Sequence, residues 1–205
     1  AIGSVTLTMH VQGNAPCFNN VQDNMLLTIV PGATANAGPD VQICTGTNHT
    51  ITGASALNHA AVSWSTTGTG TITSGNTLTP TYVPSAQDYL NGNVMLTLSV
   101  IPMAPCTGTV SDEMMLSFVE GPVANAGPDA EICFGVNFTV TGASASGYQS
   151  IVWTSTGSGT LVNANSLSPS YMPSNADRTA GSVNLMMTVN GAAPCFGSDL
   201  DVMTL

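Results

Sequence analysis

The sequence predicts an all-β fold, built from β-sandwiches of about seven strands that recur with a period of 89 residues. Three observations predict it. The hexapeptide at residues 35–40 returns unchanged at residues 124–129, and no insertion breaks the register between the two copies. Short runs rich in Val, Thr and Ile are separated by Gly and Pro, a pattern typical of all-β domains. A period of 89 residues is too long for a solenoid turn and matches the size of a small sandwich.

The period divides the chain into three predicted parts. Residues 33–121 form a complete repeat and residues 122–205 a nearly complete one, and about half of their aligned positions are identical. Residues 1–32 match residues 90–121, so we expect them to be the C-terminal strands of an incomplete repeat. Two strands are marginal alone, so upstream sequence or another chain should complete them. The short junction at residues 118–125 restricts hinge motion, which favours stacking into a rod.

Within the first complete repeat, alternation of apolar and polar residues indicates the strands and their buried faces. Val62 and Trp64 alternate in this way, and a tryptophan on the third strand is the usual core residue of an immunoglobulin-like sandwich. The predicted core residues are Trp64, Val94, Leu96, Leu98, Leu116 and Phe118. The predicted strands cover residues 35–43 with a Gly-Pro interruption, 50–53, 62–65, 71–73, 78–83, 94–100 and 114–118.

One short helical turn is expected in each repeat. Ser85 is placed to cap it, and Asp88 stands at the third helical position, as in a capping box. Ser174 and Asp177 repeat the arrangement. We therefore interpret the two aspartates as structural rather than catalytic.

Charge is the second unusual property of the chain. There is no lysine, Arg178 is the one arginine, and the formal net charge is −10. Nucleic acid and anionic membrane surfaces would repel such a chain, so neither is an expected partner. No apolar run reaches the length of a membrane span, so no membrane insertion is expected in this segment. No signal peptide is visible.

The five cysteines predict one disulfide in each repeat. The expected pairs are Cys44 with Cys106 and Cys133 with Cys195, each 62 residues apart, and Cys17 would pair with an upstream partner. A bridge between neighbouring repeats, such as Cys17 with Cys44, stays open. A metal site is disfavoured because the spacing is not that of a zinc site and no histidine recurs nearby. Disulfides indicate an oxidising compartment.

Calcium is the one cofactor for which the sequence offers candidates. Carboxylate and amide oxygens gather near the predicted junctions, and Ca²⁺ takes six to eight oxygen ligands. The alternative, which we favour, is that Asn36 and Asp40 close the Gly-Pro turn by Asx hydrogen bonds. The candidates are Asn36, Asp40, Asp112, Glu120, Asn125 and Asp129.

No catalytic motif emerges, so we expect no enzymatic activity. The chain has neither a Gly-x-Ser-x-Gly elbow nor a His-Glu-x-x-His motif. The three histidines, His10, His49 and His59, fall at positions that the other repeats do not share. Abundant Ser and Thr residues therefore lack a recurring base that could activate them.

The combined pattern resembles the PKD-like, immunoglobulin-like repeats of giant surface proteins in Bacteroidota-type bacteria. The resemblance covers the whole chain, through the Ala-Asn-Ala-Gly-Pro-Asp-x-x-Ile-Cys run at 35–44, Trp64, the Pro-Thr-Tyr-Val-Pro-Ser run at 80–85, and Pro105-Cys106. The Trp-Asp-Phe-Gly-Asp-Gly motif of PKD domains proper is replaced by Trp-Ser-Thr-Thr-Gly at residues 64–68, so binding properties of those domains are not implied.

What the resemblance implies is a secreted or cell-surface adhesin or filament, exported by the type IX pathway. Its partners would be neighbouring repeats of the same chain and other copies in a filament, with the adhesive target unknown. Two alternatives stay open. A glycan-binding module could use the Thr-rich loop at residues 64–73, and an accessory domain of a secreted enzyme would need a catalytic domain elsewhere.

Overall fold

The structure, a computed structural model, describes residues 3–205 and confirms the all-β fold. Strands dominate the secondary structure, and the two helices in the described residues have six residues each. Neither helix has the length or the apolar composition needed to cross a membrane.

The elements follow the chain in three groups. Strands β1 (Gly3–Val11) and β2 (Val21–Ile29) form an antiparallel hairpin that is exposed along both strands. The second group is β3 (Thr34–Asn36), β4 (Val41–Cys44), β5 (His49–Thr50), β6 (Ser55–Leu57), β7 (His59–Thr66), β8 (Thr71–Thr73), β9 (Thr81–Val83), α1 (Ala86–Asn91), β10 (Asn93–Pro102) and β11 (Val110–Val119). The third group is β12 (Val123–Asn125), β13 (Phe138–Thr139), β14 (Ser144–Ser146), β15 (Tyr148–Ser155), β16 (Thr160–Val162), β17 (Ser170–Met172), α2 (Asn175–Ala180), β18 (Asn184–Gly191) and β19 (Ser198–Thr204).

The third group of elements repeats the second with one omission. Strands β3 and β12 begin 89 residues apart, and so do β7 and β15. Strand β4 has no counterpart. It pairs in parallel with Leu116–Val119 of β11. In the next repeat Leu205 corresponds to Leu116. Each of Cys17, Cys106 and Cys195 follows a cis Ala–Pro bond.

The chain folds into two compact units, whose limits differ from those of the sequence repeats. The predicted repeat boundaries at residues 33 and 122 therefore stay a prediction. Unit 1 contains the residues up to Pro39, Asn48–Val83 and Met95–Met115, and unit 2 contains Asp40–Thr47, Pro84–Val94 and Leu116–Leu205.

Three small sheets surround the core of unit 2. Their strand orders are β15-β18-β19, β13-β17-β16 and β12-β14, and all pairings are antiparallel. Along β18, every second side chain is buried because successive residues of a strand point to opposite faces. The fully enclosed side chains include Tyr171, Leu185, Met187, Val189 and Met203, and Trp153 packs with them.

Unit 1 contains the corresponding β5-β9-β8 sheet and the β3-β6 pair. Strand β7 lies antiparallel to residues 96–102 of β10, which places Trp64 opposite Leu98. Five of the six predicted core residues are buried: Trp64, Leu96 and Leu98 in unit 1, and Val94 and Leu116 in unit 2.

Phe118, the sixth predicted core residue, is only half-buried. It packs edge-on against the ring of Tyr89 in unit 2, with 5.0 Å between the ring centres. Its strand continues past the end of the sandwich core to pair with β4, so the alternation pattern overstated its burial.

The two predicted helical turns are confirmed, together with their caps. The Ser85 side chain accepts a hydrogen bond from the Asp88 N–H, and the Asp88 carboxylate accepts one from the Ser85 N–H. Ser174 and Asp177 form the same reciprocal pair. Capping boxes of this kind satisfy two backbone donors that a helix start would otherwise leave free.

Strand β18 offers a direct test of this packing, because two methionines stand side by side on opposite faces. Met187→Ala removes a fully buried side chain and should lower the free energy of unfolding by about 2–5 kcal/mol. The neighbouring Met186, which is partly exposed, is the matched control, and Met186→Ala should cost less than half as much. Urea unfolding of both variants measures the difference, and equal losses would contradict the assigned strand register.

Candidate functional site

The disulfide of this chain joins consecutive repeats, and the predicted pairs are wrong. Cys44 bonds to Cys195 across a sequence separation of 151, with their Cα atoms 5.3 Å apart. Cys106 and Cys133, the partners that the sequence predicted for them, are free thiols. Both bonded cysteines belong to unit 2. A bridge between neighbouring repeats was the alternative that the sequence left open. The example considered there was Cys17 with Cys44, whereas the structure joins Cys44 to Cys195.

The physical reason lies in the parallel pairing of β4 with the end of β11. Val41 is opposite Leu116 and Cys44 is opposite Val119, so the first cysteine is carried to the end of the repeat. The Thr45 N–H donates to the Val119 carbonyl at 3.0 Å and continues the pairing. The Cys195 Sγ lies 3.4 Å from the same carbonyl oxygen. Cys44 therefore meets the second cysteine of the following repeat rather than that of its own.

Cys17 and Cys133 are exposed, and Cys106 is partly buried. The predicted upstream partner of Cys17 lies outside the described residues and stays a prediction. A structural disulfide of this kind forms and persists in oxidising compartments.

Recurring carboxylates tie the last strand of each repeat to its first turn. The Asp112 Oδ2 accepts the Ala37 N–H at 2.8 Å in unit 1. The Asp201 Oδ2 accepts the Ala126 N–H at 2.7 Å in unit 2, where Asp199 also accepts from Ala124 at 2.8 Å. Hydrogen bonds from backbone N–H groups to an ionised carboxylate are short and strong. They hold the Ala-Asn-Ala-Gly motif against the sheet.

Asn36 closes the Gly-Pro turn, as the favoured alternative predicted for it, and Asn125 closes the equivalent turn of the next repeat. The Asn36 Oδ1 accepts the Gly38 N–H at 2.8 Å, and the Asn125 Oδ1 accepts the Gly127 N–H at 2.9 Å. Gly38 has φ +94° and a Cβ there would come within 3.2 Å of the Gly53 backbone, so glycine is required at this turn.

The other candidate calcium ligands either bond to the backbone or lie on separate segments. The Asp129 Oδ1 accepts the Thr204 N–H at 2.6 Å, while Glu120 is exposed after β11, and Asp40 stands just before β4. Across residues 3–205, no three His, Cys, Asp or Glu side chains gather into a group that could hold a metal ion.

A buried carboxylate network underlies the helix of unit 2. The Asp177 carboxylate accepts hydrogen bonds from the Ser158 and Ser174 N–H groups at 2.8 Å each and from the Tyr171 hydroxyl at 2.7 Å. The hydroxyl in turn accepts the Gly159 N–H at 3.0 Å. Burial by itself raises the pKa of Asp177, but the hydrogen-bond donors lower it by more. The net pKa therefore lies well below the ordinary carboxyl value. Burial, aided by the adjacent carboxylate, raises the pKa of Tyr171.

A cavity of about 420 Å³ in unit 2 borders the free cysteine of the second repeat. Its lining includes Cys133, Phe134, Arg178 and Leu205. The Arg178 guanidinium stands 5.2 Å from the centre of the Phe134 ring, within the range of a cation–π contact. In the first repeat Tyr89 stands at the position equivalent to Arg178, and its ring packs against Phe118 of β11.

Sequence reasoning missed the structural use of Asp112, Asp201 and the hydroxyls of Tyr82 and Tyr171. The Tyr82 hydroxyl accepts the Gly70 N–H at 3.2 Å, as the Tyr171 hydroxyl accepts the Gly159 N–H. Their recurrence at the 89-residue period was a visible signal, since Asp23, Asp112 and Asp201 align, as do Tyr82 and Tyr171. The pairing partners were not visible, because the N–H groups from which Asp112 and Asp201 accept hydrogen bonds lie 75 residues away in the sequence.

The disulfide assignment is tested by removing one sulfur at a time. Cys195→Ser should destabilise the oxidised protein by up to about 5 kcal/mol, the chain-entropy value for a loop of this length. Cys44→Ser should cost the same, whereas Cys133→Ser, which removes an exposed free thiol, should leave the melting temperature unchanged. Thermal melts and peptide mapping of the non-reduced protein measure this. A Cys44–Cys106 peptide would overturn the assignment.

The Asp177 network predicts a specific pH dependence. Because the folded-state pKa is lowered, the carboxylate contributes its full stability above the unfolded-state pKa of about 3.9 and loses it as the pH falls further. The melting temperature of Asp177→Asn should therefore lie below that of the wild type at neutral pH, and the gap should shrink below about pH 4. Glu131→Gln, at an exposed carboxylate, is the control. A gap independent of pH would contradict the network.

No protein family and no curated protein sequence matches this chain. Similar solved structures include mouse clustered PcdhgC3 EC1-3 (12% identity, TM-score 0.48, covering 98% of this chain and 76% of that one). Human CDH23 EC21-23 has 12% identity, a TM-score of 0.47 and coverages of 98% and 73%. The D00-D0 domain of intimin has 9% identity, a TM-score of 0.46 and coverages of 83% and 96%. Superpositions this loose carry no argument about function. The fold class rests on the chain itself, an all-β protein in which most strand pairs are antiparallel and in which Trp153 is buried in the core of unit 2.

Proposed function

We propose that this chain is a non-catalytic structural segment of an extracellular protein, a stalk of a bacterial cell-surface adhesin or filament that holds a distal tip away from the cell. The observation that supports it most directly is the covalent bond between consecutive repeats, Cys44 to Cys195. A second support is the lack of lysine together with a net charge of −10, which disfavours nucleic acid and anionic membranes as partners.

The bond has a mechanical consequence for a chain pulled at its two ends. Tension that enters at one end reaches Cys44, crosses the sulfur bridge and leaves through Cys195. The residues between the two cysteines are bypassed, so their sheets and core carry no extension while the bond is intact. A stalk under load requires such protection, whereas an enzyme or a soluble binding module gains little from it.

The alternative function, glycan binding by the loop at residues 64–73, is disfavoured because the aromatic side chain of this loop, Trp64, is not accessible. Trp64 is only 9% exposed, and its indole N–H donates to the Thr77 carbonyl at 3.0 Å. An aromatic platform for sugars has to be accessible. The accessory-domain alternative depends on sequence outside this chain.

Single-molecule pulling from the two ends tests the mechanical proposal. With the disulfide intact, the 151-residue span should contribute no extension, and adding a reductant should release up to about 500 Å of further contour length. Cys195→Ser should show the long extension without reductant, and Cys133→Ser should behave as the wild type. Release of the full length from the oxidised wild type would refute load bypass and, with it, the proposed role.

A further inference from the structure

The hairpin β1-β2 exposes an apolar face that the later repeat buries. Leu7 and Met25 lie opposite each other in the hairpin and are 47% and 58% exposed. Their equivalents two periods later, Leu185 and Met203, are opposite each other in unit 2 and are 0% and 1% exposed. The same amphipathic hairpin therefore occurs with and without a cover. The exposed face consists of Val5, Leu7, Met9, Val11, Val21, Met25, Leu27 and Ile29.

Unit 2 shows what covers such a face. The core around Leu185 and Met203 is completed by Trp153 of β15, Tyr171 of β17 and Val140 after β13. All three come from the part of the repeat that precedes the hairpin. The cover that fits β1-β2 is therefore a segment with the pattern of residues 33–91, the part that precedes β10 in the first complete repeat.

Asp23 offers a hydrogen-bond acceptor for the same covering segment. It stands on β2 at the position that Asp112 and Asp201 occupy on the last strands of the later repeats. Those two carboxylates accept the N–H of Ala37 and Ala126, the third residue of the Ala-Asn-Ala-Gly motif. The Asp23 Oδ1 accepts only a local bond from the Asn24 N–H among its contacts given by the structure. A docked motif would meet Asp23 as it meets Asp201.

The outer edge of β2 could pair with a further strand of the covering segment, and Cys106 lies near the place where the cysteine of that strand would be. Residues 27–30 correspond to Leu116–Val119, which pair in parallel with Val41–Cys44. A docked Val-Gln-Ile-Cys strand in that register would place its cysteine opposite Val30. The Cys106 Sγ lies 3.9 Å from the carbonyl oxygen of Pro31, the next residue. Cys195, the equivalent of Cys106, lies 3.4 Å from the Val119 carbonyl oxygen, and Val119 is the equivalent of Val30; Cys106 is therefore within one residue of the corresponding position, at which Cys195 bonds to Cys44.

We propose that β1-β2 is the docking surface for the first two thirds of a further repeat, joined to Gly3 in the same polypeptide, and that its first cysteine forms a disulfide with Cys106. Formation is a thiol–disulfide exchange. A Cys106 thiolate and the incoming thiolate become one S–S bond, and a small-molecule disulfide such as oxidised glutathione takes up the two electrons and is released as two thiols. This inference goes beyond the mechanical role and does not depend on it.

The experiment extends the chain by the proposed occupant. A second copy of residues 33–91 replaces residues 1–2 and so ends directly before Gly3, and the protein is oxidised with glutathione. Peptide mapping should find the added copy of Cys44 bonded to Cys106, and hydrogen exchange at the β1-β2 amides should slow by at least about tenfold relative to the 205-residue chain. The native Cys44–Cys195 bond serves as the internal reference for oxidation.

Three variants of the extended chain separate docking from bonding. Cys106→Ser should lose the new disulfide yet keep most of the hairpin protection. Asp23→Asn should weaken the protection, while Gln22→Asn, at an exposed neighbouring position, should not. A bond from the added cysteine to Cys17 would overturn the proposal, as would a free added thiol with an unprotected hairpin. Concentration-dependent protection of the hairpin in the unextended chain would show that a second copy is the occupant instead, and would also overturn it.

Discussion

The structure depends on one constraint, the strict alternation of side chains along the hairpin that ends each repeat. Period two places Leu185, Met187 and Val189 on one face, and that face cannot remain in water without a large loss of hydrophobic free energy. The tryptophan strand and the tyrosine strand supply the cover for it. Along β1-β2 the same face is exposed.

Carboxylates in this chain stabilise the backbone far more than they pair with cations. With a single arginine and no lysine, the aspartates have almost no cationic side chains to meet. Asp112 and Asp201 instead accept backbone N–H groups from the first turn, and Asp177 combines a helix cap with a tyrosine hydroxyl. Each carboxylate thereby joins segments far apart in sequence. The acidic composition is consistent with a soluble, self-repelling surface whose buried charges are fully solvated by donors.

The inter-repeat disulfide follows from the parallel strand pair and not from cysteine spacing. Strand β4 runs beside the last residues of β11, so the first cysteine of a repeat is carried to the point where the next repeat begins. There it meets Cys195. One bond therefore closes a loop of 151 residues and relates consecutive repeats covalently. The parallel pairing, a small element of four residues, decides how a pulling force would travel.

The sequence by itself determined the period, the all-β class, most core positions, and both capped helical turns, because these follow from local alternation and from short motifs such as Ser85 to Asp88. It did not determine which cysteines bond, that Phe118 is only half-buried, or that Asp112 and Asp201 hold the first turns. Each of these depends on which distant strands are neighbours, with 75 residues between each aspartate and its donor. Tertiary structure decided them. For example, β4 pairs in parallel with the end of β11, and no local sequence pattern predicts that pairing.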